Sequence, residues 1–175
     1  MKRNIWLWQI TGYAVTSLLG TLLHFLYEQS GGSLLAAPFS GVNESTFEHM
    51  KLLFWPMLAF AAIQDFFFRE YESFRCIKLR GMLLGLISIP VIFYTYNGVI
   101  GKSPDWINIA IFFISGAIAY LYEAFKLKEN TLTCKNRKIP IAIICAIALL
   151  FVIFTFATPE IEIFKDPLTN SYGIQ

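Results

Sequence analysis

Charged residues are scarce in this chain of 175 residues. Asp, Glu, Lys and Arg make up 15% of it, against about 25% in a typical soluble domain. Hydrophobic residues make up 56%, and the mean hydropathy is +0.56. The net charge is only +2, so no strong positive field points to nucleic acid as a partner. This composition argues against a soluble domain and favours an integral membrane protein.

Cysteine and histidine are also rare. Cys76, Cys134 and Cys145 are odd in number and form no C-x-x-C pair, so neither a disulfide framework nor a zinc knuckle is expected. His24 and His49 are the only histidines, and no H-E-x-x-H zinc motif is present. No internal repeat is visible, which argues against a transporter built from inverted repeats.

Five apolar segments are long enough to cross a bilayer as helices. They cover approximately Ile5–Tyr27, Met50–Phe68, Gly81–Val99, Trp106–Phe125 and Pro140–Ala157. Crossing about 30 Å of hydrocarbon takes about 20 helical residues, and a backbone in lipid must satisfy its own hydrogen bonds. We therefore predict an all-α integral membrane protein, with residues 1–175 forming a single bundle of five transmembrane helices.

Lysine and arginine concentrate in alternate connections. Segments 1–4, 69–80 and 126–139 hold eleven of the 14, and Lys51, Lys102 and Lys165 lie elsewhere. Because basic loops stay on the cytoplasmic side, the N-terminus is predicted inside and the C-terminus outside. The basic loops are then expected to meet anionic lipid headgroups, and Cys76 and Cys134 lie in a reducing compartment, where disulfides are rare.

Two segments are predicted on the outer side of the membrane, a loop over residues 28–49 and a tail over residues 158–175. The loop contains an apolar run, Leu34–Phe39, after two glycines that permit a sharp turn. It is interpreted as a short re-entrant or interfacial segment. The tail is too apolar for a simple flexible end, so it either docks across the outer face or lies on the headgroups.

Four polar side chains are predicted to converge at the outer ends of the first two helices: His24, Glu28, Glu48 and His49. Imidazole and carboxylate ligands suit a divalent metal such as Zn, and a bound metal would turn water into a nucleophile. His24, Glu28 and His49 are the candidate catalytic residues, assisted by Glu48 and Asn43. Without a metal, His24 and Glu28 could transfer protons as a pair.

Ordinary structural roles compete with this interpretation. Ser45-x-x-Glu48 is a capping box, and Asn43 is an alternative N-cap. Asp65 and Glu123 lie near the inner ends of their helices, where ion pairs with Arg69 and Lys126 are the expected explanation.

Three strings, HFLYEQSGG, VNESTFEHMKLLFWPM and DPLTNSYGI, carry a resemblance that spans most of the chain. With its VNES-x-x-EH signature, the chain resembles an uncharacterised family of small bacterial multi-pass membrane proteins. The resemblance implies a bacterial source and the inner membrane, and it transfers no catalytic residue.

Three functions remain open at this stage. A structural, interaction or accessory subunit with a protein partner or a second copy is favoured. The first alternative is a metal-dependent hydrolase or transferase with an outer-leaflet site at His24, Glu28 and His49. The second is a transporter component, with Asp65 and Glu123 lining a path.

Overall fold

The computed structural model describes residues 4–68 and 70–174. In these residues the chain forms five long helices: α1 (Ile5–Gln29), α2 (Thr46–Phe68), α3 (Phe74–Val99), α4 (Asp105–Glu129) and α5 (Lys138–Phe156). Each is long and apolar enough to cross a membrane. The prediction of an all-helical chain with five potential spans is therefore confirmed.

Each helix extends beyond its predicted window at one end or both, although α5 ends at Phe156, one residue before the predicted bound. The largest difference is at α3, which begins at Phe74 rather than near Gly81. Phe74 and Ile77 are buried in a small cluster with Phe68 and Leu127, so the first two turns of α3 have a core of their own. Packing of these residues therefore stabilises the helix over a segment that hydropathy alone would assign to the preceding loop.

The helix ends gather at two ends of the bundle. The loop end carries the α1–α2 connection, the start of α2 and the last turn of α5, where Phe47 packs against Phe151 and Phe154. The basic end carries residues 70–73 and 130–137, beside the Phe68 cluster. α2 has the largest buried share of the five helices, and its side chains form the centre of the core.

Gly20 allows α1 to approach its neighbours closely. A Cβ at this position would lie 2.7 Å from the Leu52 carbonyl oxygen and 2.6 Å from the Phe112 ring. Small residues permit such close helix contacts. Because His24 lies one turn beyond Gly20 on α1, this contact also places His24 beside the start of α2.

The α1–α2 loop folds back onto the two helices. The Ser40 hydroxyl accepts from the Tyr27 N–H at 2.8 Å and donates to the Leu23 carbonyl. The Trp55 indole N–H donates to the Pro38 carbonyl at 2.8 Å. The apolar run predicted for this loop is thus split, because Ala37 is buried whereas Leu35 is 87% exposed.

The tail after α5 docks at the loop end. Phe164, in a three-residue 3-10 helix, is buried with its ring centroid 4.4 Å from that of Phe47. The Asn43 side-chain amide donates to the Gly173 carbonyl at 2.9 Å. Of the two arrangements considered for the tail, the structure therefore has the docked one.

A disulfide joins Cys76 to Cys134, whose Cα atoms are 5.9 Å apart. The prediction that these cysteines stay unpaired is wrong. They are separated by 58 positions, and only the packing of the basic end brings them together, so their spacing in the sequence gave no signal.

Asp65 and Glu123 have different partners from those predicted. Glu123 is fully buried and pairs with Lys78 at 2.6 Å, whereas Lys126 pairs with Glu129. Glu123 is turned to Lys78 in the bundle interior, whereas the Lys126 side chain is 34% exposed and reaches Glu129 instead. Asp65 receives two hydrogen bonds from Arg75, at 2.8 and 2.6 Å. Its predicted partner, Arg69, lies outside the described residues.

The Lys78–Glu123 pair should be tested by removing one charge and then both. Lys78→Met leaves a buried carboxylate without its counterion, which typically costs about 3–5 kcal/mol. We expect a clearly lower thermal unfolding midpoint in detergent, and recovery of most of the loss in Lys78→Met/Glu123→Leu. The matched control is Lys126→Met, which breaks an exposed pair and should change the midpoint little. Equal midpoints for Lys78→Met and Lys126→Met would contradict the pairing.

Candidate functional site

His24 and His49 face each other across the contact between α1 and α2, with ring centroids 5.8 Å apart. Both rings are directed at Glu44. Nε2 of His24 lies 3.5 Å from one carboxylate oxygen of Glu44, and Nε2 of His49 lies 3.6 Å from the other. We call these three residues the outer site, after the side of the membrane on which the sequence predicts them.

The backbone fixes the tautomer of His49. Its Nδ1 lies 2.9 Å from the Ser45 carbonyl oxygen, which can only accept, so Nδ1 must carry the proton. In the neutral ring Nε2 then presents a lone pair to the Glu44 carboxylate, which also only accepts. The contact becomes attractive when a proton lies between the two groups, on the imidazole or on the carboxylate.

Glu44 is held at the site by the loop and the docked tail. Its backbone N–H donates to the Asp166 carboxylate at 3.5 Å. Ser45 provides the N-cap of α2, since its hydroxyl accepts from the Glu48 N–H at 3.4 Å, and Asn43 in turn accepts from the Ser45 N–H at 2.9 Å. Helix capping therefore falls to Ser45, which leaves the Glu44 carboxylate for the histidines.

Glu48 is turned away from the histidines. Its carboxylate accepts from the Val42 N–H at 2.9 Å and pairs with Lys51 at 2.6 Å. The Lys51 ammonium also donates to the Ala37 carbonyl and to the Thr155 hydroxyl, both at 2.9 Å. Lys51 is fully buried, so this network connects the loop, α2 and α5 inside the protein.

Of the four side chains predicted to bind a metal, the structure brings His24 and His49 together. Glu28 lies exposed on the last turn of α1, and Glu48 is engaged by Lys51. Within residues 4–68 and 70–174, no group of three or more His, Cys, Asp and Glu side chains is arranged to hold a metal ion. Metal binding by the predicted set stays a prediction, as does a catalytic role for His24, Glu28 and His49.

Glu44 is not among the residues predicted for the site, because an acidic residue at the start of a helix is commonly explained by the helix dipole. The signal that could have found it is its position directly before the N-cap Ser45. A side chain there lies outside the helix and is free to turn towards a residue of the first turn, here His49.

Two cavities flank His49. An apolar lateral cleft of about 220 Å³ lies between α1, α2 and α4, and His24 and His49 stand at its polar end. It is also lined by exposed residues such as Phe25 and Ile109. On the other side of His49 is a small cavity of about 20 Å³, with Glu44, Thr46 and Asn108 among its lining residues. About 10–15 Å³ is enough for one water molecule.

A family model matches residues 1–174 of this chain. The chain belongs to the family of unknown function DUF6512. No curated protein and no solved structure matches it. The family assignment covers the outer site, the loop and the docked tail, and leaves their chemistry to be judged from the geometry.

Enlarging Gly20 should disturb the outer site from one turn away. Gly20→Ala places a methyl group against the Leu52 carbonyl and the Phe112 ring, and overpacking of this kind typically costs about 1–3 kcal/mol. We expect a lower thermal midpoint in detergent for Gly20→Ala. The matched control is Gly98→Ala in α3, where a Cβ would have nothing within 4 Å. A midpoint for Gly20→Ala equal to that of Gly98→Ala would mean that the close contact is not present.

Proposed function

We propose that this is a multi-pass protein of the bacterial inner membrane, with its N-terminus in the cytoplasm, that binds a lipid-like amphiphile from the outer leaflet at the outer site. Five helices of sufficient length and apolarity support the membrane location. Eleven of the 14 basic residues fall in sequence segments 1–4, 69–80 and 126–139, and this bias supports the orientation. The loop end then lies at the depth of the outer headgroups.

The observation that carries this proposal is the position of His24 and His49 at the polar end of the lateral cleft, with Glu44 in contact with both rings and lining the small cavity beside His49. The cleft is lined mainly by apolar side chains and is open between α1 and α4, where lipid would reach it. An acyl chain matches such a surface, and the ionisable groups would meet the head of the same molecule. Ligand sites commonly combine an apolar wall with a few placed polar groups in this way.

The charges around the site narrow the class of headgroup. Among the described residues, no Lys or Arg side chain lines the lateral cleft or the small cavity. The Lys51 ammonium is already bound by Glu48, Ala37 and Thr155. Glu44, with Asp166 against its backbone N–H, disfavours a phosphate. We therefore expect an uncharged headgroup with hydroxyl groups, such as that of a monoacylglycerol, which can donate to Glu44 and accept from an imidazole.

Blocking the lateral cleft should abolish this binding. Thr21 lines the cleft from α1, so Thr21→Trp fills it, whereas Leu22→Trp enlarges a neighbouring side chain that is 58% exposed. With a photoactivatable monoacylglycerol in lipid nanodiscs, we expect crosslinks in peptides covering residues 21–25 and 109–113. Crosslinking should fall at least tenfold in Thr21→Trp and stay unchanged in Leu22→Trp.

Two outcomes would refute amphiphile binding at this site. One is labelling spread evenly over all lipid-facing helices. The other is equal loss in both tryptophan variants. Competition by a phosphatidic acid as strong as that by unlabelled monoacylglycerol would contradict the inferred headgroup class and leave the location standing.

A second candidate, a membrane-embedded hydrolase or transferase, is favoured by the small cavity beside His49. A water molecule there would contact Glu44 and His49 on one side of the site while an acyl ester occupied the cleft on the other. Nε2 of His49 or the Glu44 carboxylate would accept a proton as the water oxygen attacks the ester carbonyl. The bond to the alcohol then breaks, and the proton passes to the leaving oxygen.

Catalysis is tested with a long-chain acyl ester and a series of variants. Loss of a general base typically lowers turnover about 10²- to 10⁴-fold, so Glu44→Gln and His49→Ala should lose activity while Glu28→Gln retains it. Elemental analysis of the same preparations tests for Zn, which His24→Ala and His49→Ala should remove if the imidazoles are ligands. Loss of metal or activity in Glu28→Gln would instead support the set predicted from the sequence.

The accessory-subunit interpretation is supported by a different observation. Both buried lysines, Lys51 and Lys78, find their partners inside the chain, as expected if these charges stabilise a scaffold. It predicts that a defined protein partner or a second copy co-purifies, and that His24, Glu44 and His49 variants leave ligand binding and metal content unchanged.

A further inference from the structure

Cys76 and Cys134 connect two segments at the basic end of the bundle. Cys76 lies in the first turn of α3, and Cys134 lies in the irregular connection between α4 and α5, residues 130–137. Their Cα separation of 5.9 Å is within the ordinary range for a disulfide. The two cysteines can therefore be joined without a change in the position of either segment.

The location of this pair is unusual for a structural disulfide. The basic end is the cytoplasmic end in the orientation proposed above, and cytosolic thiols are kept reduced by thiol-based buffers. A disulfide that forms there is typically transient, catalytic or redox-sensing. At the loop end, on the oxidising side of the membrane in the proposed orientation, the same pair would be an ordinary structural disulfide.

The α4–α5 connection depends on few other anchors. Most of its residues are exposed. Among those that hold it to the rest of the bundle are Leu132, which packs half-buried against the Phe68 cluster, and Arg137, which is attracted to the Asp65 carboxylate. The other side of the pair is firmly held, since Arg75 is bound to Asp65 and Lys78 to Glu123. Opening the disulfide would therefore release the part of the connection between Leu132 and Arg137, which contains Lys135, and leave α3 in place.

A polar cleft of about 530 Å³ lies between the same two segments. It is lined by residues 70–73 on one side and by Asn130, Leu132 and Thr133 on the other. Ser73, three residues before Cys76, is 2% exposed, and its hydroxyl has no hydrogen-bond partner among the residues described. Cys76 and Cys134 each come shortly after one of the two segments that line the cleft, so the disulfide lies next to it.

We propose that Cys76 and Cys134 form a reversible thiol switch that fixes the α4–α5 connection against α3 and so sets the width of this cytoplasmic cleft. The inference rests on the proposed orientation. A low-molecular-weight disulfide such as oxidised glutathione is the oxidant. The thiolate of one cysteine attacks it and releases one thiol, and the second cysteine then displaces the other, giving one protein disulfide and two small thiols.

The redox state is read in intact cells that express the full chain with Cys145→Ser. Cells are quenched in acid, and thiols are counted with a maleimide-linked polymer. We expect two labels in unstressed cells, none after diamide treatment, and two again after recovery. A pair that stays oxidised in unstressed cells, or one that never oxidises, would overturn the switch.

Trypsin cleavage at Lys135 tests the movement of the connection in inverted membrane vesicles. The reduced protein should be cut at least tenfold faster than the oxidised protein. Cys134→Ser, at a half-buried position of the connection, should be cut at the reduced rate under both conditions, and Cys76→Ser should behave likewise. Equal rates for the oxidised and reduced wild-type protein would refute the proposal even if the disulfide is reversible.

The orientation has its own readout, so the two failures can be told apart. Single-cysteine variants Lys102→Cys and Lys135→Cys, in a background without the native cysteines, are treated with a membrane-impermeant maleimide on spheroplasts. Labelling of Lys102→Cys alone supports the orientation. Labelling of Lys135→Cys alone would place the disulfide outside the cytoplasm and overturn both proposals.

Discussion

The buried ion pair between Glu48 and Lys51 is the interaction on which the loop end depends. A lysine with no exposed surface is tolerated only when its charge and its three donors are satisfied, and here they are met by Glu48, Ala37 and Thr155. Because these acceptors come from α2, the loop and α5, the need to satisfy one ammonium group holds three parts of the chain together. Glu48 extends the network to Val42.

This network explains why the outer site has its present composition. With Glu48 neutralising Lys51, the carboxylate that remains for His24 and His49 is that of Glu44. Because Glu48 already neutralises Lys51, this buried cation adds little net charge to the site. Its charge is set by two imidazoles and one carboxylate, together with Asp166, whose carboxylate accepts from the Glu44 backbone N–H.

The fold was largely predictable, because the length and apolarity of the five helices are local properties of the sequence. The Ser45 N-cap was predictable for the same reason. The partners of Glu48, Glu123 and Asp65 and the joining of Cys76 to Cys134 were not, because each depends on which helices pack together.

The site was predictable only in part, and His24 and His49 show where the limit lies. Their rarity and their position at two adjoining helix ends pointed to a shared location. The choice among Glu28, Glu44 and Glu48 as their carboxylate was decided by contacts that spacing does not encode. Glu48 pairs with Lys51, and Glu28 lies on the exposed side of α1. Ser45 caps α2, so the Glu44 carboxylate is the one that contacts the histidines.

The hydrogen bond from Asn43 to Gly173 has a consequence for how the molecule is assembled. The outer site lies between the first two helices, yet its supporting residues include Asp166 and Gly173, which follow the fifth helix. During synthesis, α1 and α2 can insert and pair long before these residues leave the ribosome. The polar groups of the site therefore lack their final surroundings until the segment that follows α5 has been made.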